Sequence, residues 1–282
     1  MAVLPFSFAN DEGLLIRGDV HVPASHGPVV VCVHGFKGFK DWGFWPETAR
    51  RLCEAGYGVV RFNFSHSGVG EDLENFGEPS LFESGTYSRE VEDLRALLAR
   101  LSRGLLGAPL LDASRIGLIG HSRASIASLA VAASGEFPLR AVVLWNPVAR
   151  VLWWSEEERR LWRERGYWEV VNARTGQSFR VTTALLEDAE SNRERLEPIG
   201  NAARLTMPLL AVVAREDESV PMESGVRLAR AAPAPLGSLV EIPATGHTFG
   251  AAHPFTSPTP ALEEAIRSTI DQFDRTLAKK SS

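Results

Sequence analysis

The sequence predicts an α/β fold: a mostly parallel central sheet, helices on both faces, and one inserted segment. Three observations predict it. Strand-like segments rich in apolar residues recur at 28–33, 58–64, 116–119, 139–144 and 208–213, and the run at 28–33 is continuous, as a strand buried on both faces requires. Segments with helical apolar spacing alternate with these runs, and that alternation gives a parallel sheet. The pattern breaks over residues 150–206 and is restored at Pro208. A chain of 282 residues is long enough for one such domain with an insertion. The expected division is a core of 1–149 and 207–282, interrupted by 150–206.

The elements follow in order. Residues 4–9 and 14–22 alternate apolar and polar side chains around Asn10-Asp11-Glu12-Gly13, a hairpin signal. Residues 44–55 read as a helix with Pro46 suited to its first turn. Residues 65–85, rich in Ser, Gly, Glu and Phe, read as a long loop. Residues 88–101 carry Val91, Leu94, Leu97, Leu98 and Leu101 on one stripe. Residues 222–232 read as a helix and 238–242 as a strand. Thr259 and Pro260 then suit the cap and first position of a last helix, whose apolar face carries Leu262, Ala265, Ile266, Ile270, Phe273 and Leu277.

The stretch 115–131, RIGLIGHSRASIASLAV, reads as a strand, a sharp corner and a helix. Gly120 and Ala124 are small enough to let strand and helix approach. Ser122 stands at the apex, where its hydroxyl projects at the helix N-terminus; a serine here also serves simply as a cap. Gly120-His121-Ser122-Arg123-Ala124 resembles the nucleophile elbow G-x-S-x-G of the α/β-hydrolase superfamily, with Ala124 replacing the second glycine.

That resemblance implies the α/β-hydrolase fold and a serine, acid, histidine order along the chain. After the strand at 208–213, Ala214-Arg215-Glu216-Asp217-Glu218-Ser219-Val220-Pro221 resembles the family's acid turn, with Asp217 at the acid position. The competing reading, Asp217 as one of three solvated carboxylates, is disfavoured by the strand before it and by Val220-Pro221. Thr245-Gly246-His247-Thr248-Phe249-Gly250 resembles the histidine loop, so His247 is the expected base and His253 its competitor. His34-Gly35-Phe36-Lys37-Gly38 resembles the H-G-x-x-G turn. The resemblance therefore implies an oxyanion hole made by the N–H groups of Phe36 and Arg123.

The family often inserts a cap or lid where 150–206 falls. Five of the seven tryptophans lie there or just before: Trp145, Trp153, Trp154, Trp162 and Trp168. They suit either an apolar pocket or the cap's own small core. Trp145, Trp153, Trp154 and Phe249 are the candidates for substrate contact. Arg123 and Lys37 are either surface charges or partners for an anionic group.

Composition excludes several classes. A net charge of −5 with mixed signs argues against nucleic-acid or anionic-membrane partners. No stretch of ~20 apolar residues offers a membrane span. The N-terminal residues lack a signal-peptide pattern. Cys32 and Cys53 read as buried thiols, which fits a cytoplasmic enzyme. The seven histidines lack metal-ligand spacing, and no Gly-rich phosphate loop occurs, so neither metal nor nucleotide cofactor is expected. Monomer and homodimer stay equally open.

The His-Gly-Phe turn, the compact insert and the Gly-His-Thr-Phe-Gly loop are most similar to dienelactone-hydrolase-like and cinnamoyl/feruloyl-esterase-like branches. The first typically uses cysteine, so Ser122 favours the second and implies a carboxylesterase acting on small-molecule esters of short, medium or aromatic acyl groups. Serine peptidase or amide-hydrolase chemistry is the alternative, with Glu156, Glu157 or Glu158 to bind a free amine. A catalytically silent binding protein on this fold is the third reading. A serine at the elbow disfavours aspartate-nucleophile dehalogenases and epoxide hydrolases.

Overall fold

The computed structural model of the chain describes residues 2–72, 75–106, 111–172 and 175–277. Residues 1, 73–74, 107–110 and 278–282 of the expected core and 173–174 of the expected insertion lie outside this set. In chain order the strands are β1 (Ala2–Ala9), β2 (Leu15–Val22), β3 (Gly27–Val33), β4 (Gly58–Asn63), β5 (Leu111–His121), β6 (Leu139–Trp145), β7 (Tyr167–Val171), β8 (Ser178–Thr182), β9 (Leu209–Ala214) and β10 (Gly237–Ile242). The helices are α1 (Trp45–Glu54), α2 (Pro79–Glu83), α3 (Tyr87–Ser102), α4 (Ala124–Ser134), α5 (Glu156–Arg165), α6 (Ala184–Ser191), α7 (Arg193–Leu196), α8 (Pro198–Ala202), α9 (Glu223–Ala231) and α10 (Pro260–Leu277).

Eight strands form one sheet in the order β1-β2-β4-β3-β5-β6-β9-β10, and β7 pairs with β8 apart from it. β2 runs against the direction of the other described strands in the large sheet. The apolar run of β3 is continuous because it serves two cores. Val29, Val31 and Val33 of β3 face one with α3 and α4, while Val30 and Cys32 face the other with α1 and α10. Strand alternation sends successive side chains to opposite faces, so both must be apolar.

Caps fix the helix starts. Thr86 accepts from the Arg89 N–H at 3.2 Å to open α3. Thr259 accepts from the Leu262 N–H at 3.1 Å at the head of α10. Ser155 and Glu158 form a capping box on α5. One expectation needs correction: the long loop at 65–85 contains α2, which buries Phe82. A helix of five residues is too short to show a helical period.

The segment between β6 and β9 comprises α5, the β7–β8 hairpin and α6 to α8. A buried ionic cluster anchors the loop after β3. Asp19 accepts from Lys40 Nζ at 2.6 Å and from Arg61 Nε and Nη2 at 3.0 Å each. The Lys40 N–H donates to Asn63 Oδ1 at 2.6 Å. Isolated charges are costly to bury, and here each faces an opposite one. Among the described residues no helix is long and apolar enough to cross a membrane.

Candidate active site

Ser122 occupies the corner between β5 and α4 with a φ of 56°, in the left-handed region. A non-glycine residue is held there only when its surroundings dictate it. The Ser122 N–H donates to Trp145 O at 2.8 Å, and its carbonyl accepts from the Ser125 N–H at 3.1 Å. A Cβ at Gly120 would fall 2.7 Å from Ser128 Oγ and 3.2 Å from Leu144 Cδ2, so strand and helix meet too closely for a side chain there. Ala124 is accommodated, fully packed.

Asp217 follows β9 and His247 follows β10. Their side chains meet, His247 Nδ1 lying 2.7 Å from Asp217 Oδ2. The flanking Glu216 and Glu218 are exposed, whereas the Asp217 side chain is 1% exposed. Its Oδ1 accepts from the N–H groups of Ser219 at 2.8 Å and Val220 at 2.9 Å. Burial pushes the Asp217 carboxyl pKa up. The hydrogen bond and charge of His247, with the two backbone donors, outweigh that and leave it below the usual value. A carboxylate only accepts, so Nδ1 carries the imidazole proton and Nε2 presents a lone pair. Ser122 and His247 line the same cavity of about 730 Å³. Among the described residues the Ser122 hydroxyl makes no hydrogen bond, to His247 included. Such bonds often tighten only when substrate is bound.

The loop after β3 turns tightly, with the Gly38 N–H donating to Gly35 O at 3.1 Å and Lys37 at a φ of 58°. A Cβ at Gly35 would lie 2.8 Å from His121 O and 3.1 Å from Ser122 Cβ, so glycine lets this loop lie against the elbow. His34 is buried; burial lowers its pKa to about 4. Its Nδ1–H donates to Gly35 O at 2.9 Å, and Nε2 accepts from the Phe64 N–H at 3.3 Å. Among the described residues, neither the Phe36 nor the Arg123 backbone N–H has a protein acceptor. Both residues line the cavity.

The cavity wall is aromatic where the segment between β6 and β9 lines it. Trp153 and Trp154 line it, as does Trp168, which stacks on the Phe36 ring at 5.9 Å. Trp162 lies behind them, its Nε1 donating to Val181 O at 3.0 Å. Two expected contact residues need correction. Trp145 and Phe249 are fully buried and belong to the core under α1 and α10. Trp145 points from β6 to the face opposite the cavity, stacks on Trp45 and donates to Thr269 Oγ1 at 3.0 Å. Phe249 packs edge-on against it. His253 lies apart, accepting from the Gly43 N–H at 3.0 Å beside Phe39.

Glu156, Glu157 and Glu158 do not line the cavity. Glu157 pairs with Arg160, and Glu158 closes the capping box. Lys37 Nζ donates to Val171 O at 3.3 Å, and burial lowers its pKa. The sequence reading missed Tyr87 and Glu90. Both start α3 and reach Arg123, through ring contact and ion pair. An acidic residue in an amphipathic helix carries no signal of that role. Asn146 was also missed, although its place at the end of β6 marked it as a strand-end position.

The sequence profile of the alpha/beta hydrolase family matches residues 30–264, and the chain belongs to that family. No curated protein matches the sequence. Among solved structures, it is similar to the esterase domain of a Rhodothermus marinus protein, with a TM-score of 0.65, 22% identity, and 99% and 100% of the two chains covered. It is also similar to Est1E from Butyrivibrio proteoclasticus with ferulic acid bound, with a TM-score of 0.70, 18% identity, and 97% and 100% covered. A third is the Pyrococcus horikoshii acylaminoacyl peptidase, with a TM-score of 0.68 and 18% identity, covering 99% of this chain and 42% of that one.

Proposed function

We propose that the protein is a serine carboxylesterase acting on small-molecule esters, with residues 150–206 as the cap over its site. One observation carries the reading: a histidine oriented by a buried aspartate shares a cavity with a serine held at a left-handed strand-to-helix corner. Ser122 attacks the acyl carbon. His247 Nε2 takes the hydroxyl proton and passes it to the leaving alcohol. Asp217 keeps the imidazole in the needed tautomer and stabilises its cation. The unpartnered N–H groups of Phe36 and Arg123 receive the oxyanion. Water then enters, gives a proton to His247 and attacks the acyl carbon; His247 returns that proton to Ser122 Oγ as the acid leaves.

Trp153, Trp154 and Trp168 favour an apolar or aromatic acyl group. The free buried thiols Cys32 and Cys53 support a cytoplasmic setting. Hydrolysis of p-nitrophenyl esters of graded acyl length and of methyl ferulate, by wild type and Ser122→Ala, tests the reading. Loss of all activity in the variant is expected; full activity in the variant would sink it. Activity confined to aminoacyl anilides would favour the peptidase instead, and failure of a serine-directed phosphonate to label the protein would favour a silent fold.

A further inference from the structure

We infer that Asn146 and His121 are positioning residues for His247, which they hold by its backbone carbonyl. The inference rests on His247 acting as the base. The bond to Asp217 orients the ring but leaves the loop after β10 to be fixed by other means. Two side-chain donors converge on His247 O: Asn146 Nδ2 at 2.8 Å and His121 Nε2 at 3.0 Å. A carbonyl oxygen has two lone pairs, and both are engaged.

Asn146 is built for this place. It is 2% exposed, and its φ of 44° lies in the left-handed region, which asparagine tolerates better than most residues. Its Oδ1 accepts from the Ala214 N–H at 2.7 Å, which fixes the amide orientation. A flipped amide would set donor against donor at Ala214 and acceptor against acceptor at His247. Its own N–H donates to Val212 O at 2.9 Å. Ala214 ends β9, three residues before Asp217. One side chain therefore joins the ends of β6 and β9 to the histidine loop.

His121 ties the same carbonyl to the residue preceding Ser122. A carbonyl cannot donate, so His121 Nε2 must carry its proton. Burial, and then the neighbouring His247, lower the His121 pKa to about 3, so the ring stays a neutral donor. Its centroid lies 4.7 Å from that of His247. Base, acid and nucleophile thus share one hydrogen-bonded knot behind the reacting atoms, and a small displacement at His247 Cα is enlarged at Nε2.

Four variants test this in p-nitrophenyl ester hydrolysis, with the downfield proton resonance of His247 Nδ1–H as a second readout. Asn146→Asp keeps the acceptor for Ala214 but loses the donor. His121→Phe loses its donor, and His121→Gln keeps one. Asn146→Asp and His121→Phe are expected to lower kcat on the order of 10–100-fold with KM nearly unchanged, and to broaden the resonance. His121→Gln should recover most of the His121→Phe loss, whatever the stability of the Asn146 variant. Equal kcat in His121→Gln and His121→Phe, or wild-type kcat and resonance in Asn146→Asp, would overturn the inference. His247→Ala in the same assay separates the two claims. If its activity survives, the base assignment fails. If activity needs His247 but not the two donors, the positioning claim alone fails.

Discussion

The Arg123 guanidinium lies 4.3 Å from the centre of the Phe36 ring. The two residues proposed to bind the oxyanion through their backbones are thus packed together through their side chains. Arg123 also forms an ion pair with the buried Glu90 and lies 5.3 Å from the Tyr87 ring. Burial raises the Glu90 pKa, and Arg123 opposes the rise. Arg123→Ala should therefore do more than remove a contact, because it strands a buried carboxylate. Stability should fall by about 3 kcal/mol in urea denaturation, and adding Glu90→Gln should recover part of that. Strict additivity of the two substitutions would contradict this coupling.

Asp217→Asn should leave the fold intact and lower kcat by roughly 10²–10⁴-fold. The asparagine amide, turned by the Ser219 and Val220 N–H groups, would present N–H donors to Nδ1. The imidazole proton then moves to Nε2, where a lone pair is needed. Steady-state kinetics beside a thermal melt checks both halves of the prediction.

Stability should decline as pH falls from about 6.5. His34 and His66 have pKa values lowered by burial to about 4, and His121 to about 3, against 6.5 for the exposed group. Between those limits the unfolded chain binds more protons than the folded one, so acid favours unfolding. Each histidine should cost about 1 kcal/mol at pH 5.5, and the decline should ease only below about pH 4. Urea midpoints from pH 7.5 down to 4.5 test the direction; a flat profile would contradict it.

Trp153 and Trp145 should separate under mutation. Trp153 is 45% exposed at the cavity, and Trp145 is fully buried. Trp153→Ala is expected to raise KM for aromatic esters severalfold with little change in melting temperature. Trp145→Ala should cost about 3–5 kcal/mol of stability. Matching stability losses in the two variants would contradict this assignment of wall and core.

Much of the arrangement was legible because strand ends punctuate the sequence. Apolar runs mark the buried strands before Ser122 and Asp217, and a short strand pattern at 238–242 precedes His247. In the structure His247 Nδ1 lies 2.7 Å from Asp217 Oδ2, and Ser122 and His247 line one cavity. What the sequence hid depends on which face a side chain takes. Trp145 and Trp153 are similar in composition and near in sequence. One lies on a strand whose alternation sends it to the far core, while the other lies beyond the strand's end, where no period constrains it. Glu90 was hidden because a charged residue on an amphipathic helix reads as solvated until its partner is seen.

The turn after β3 is stapled to the hairpin of the insertion twice, by the Phe36–Trp168 stack and by the Lys37–Val171 hydrogen bond. Remodelling that hairpin would also tug on the Phe36 peptide, which is proposed to meet the developing negative charge. Under the proposed mechanism, selectivity and turnover are therefore not independent traits. A laboratory lineage selected for a new acyl group should gather compensating changes around Phe36 before its speed returns.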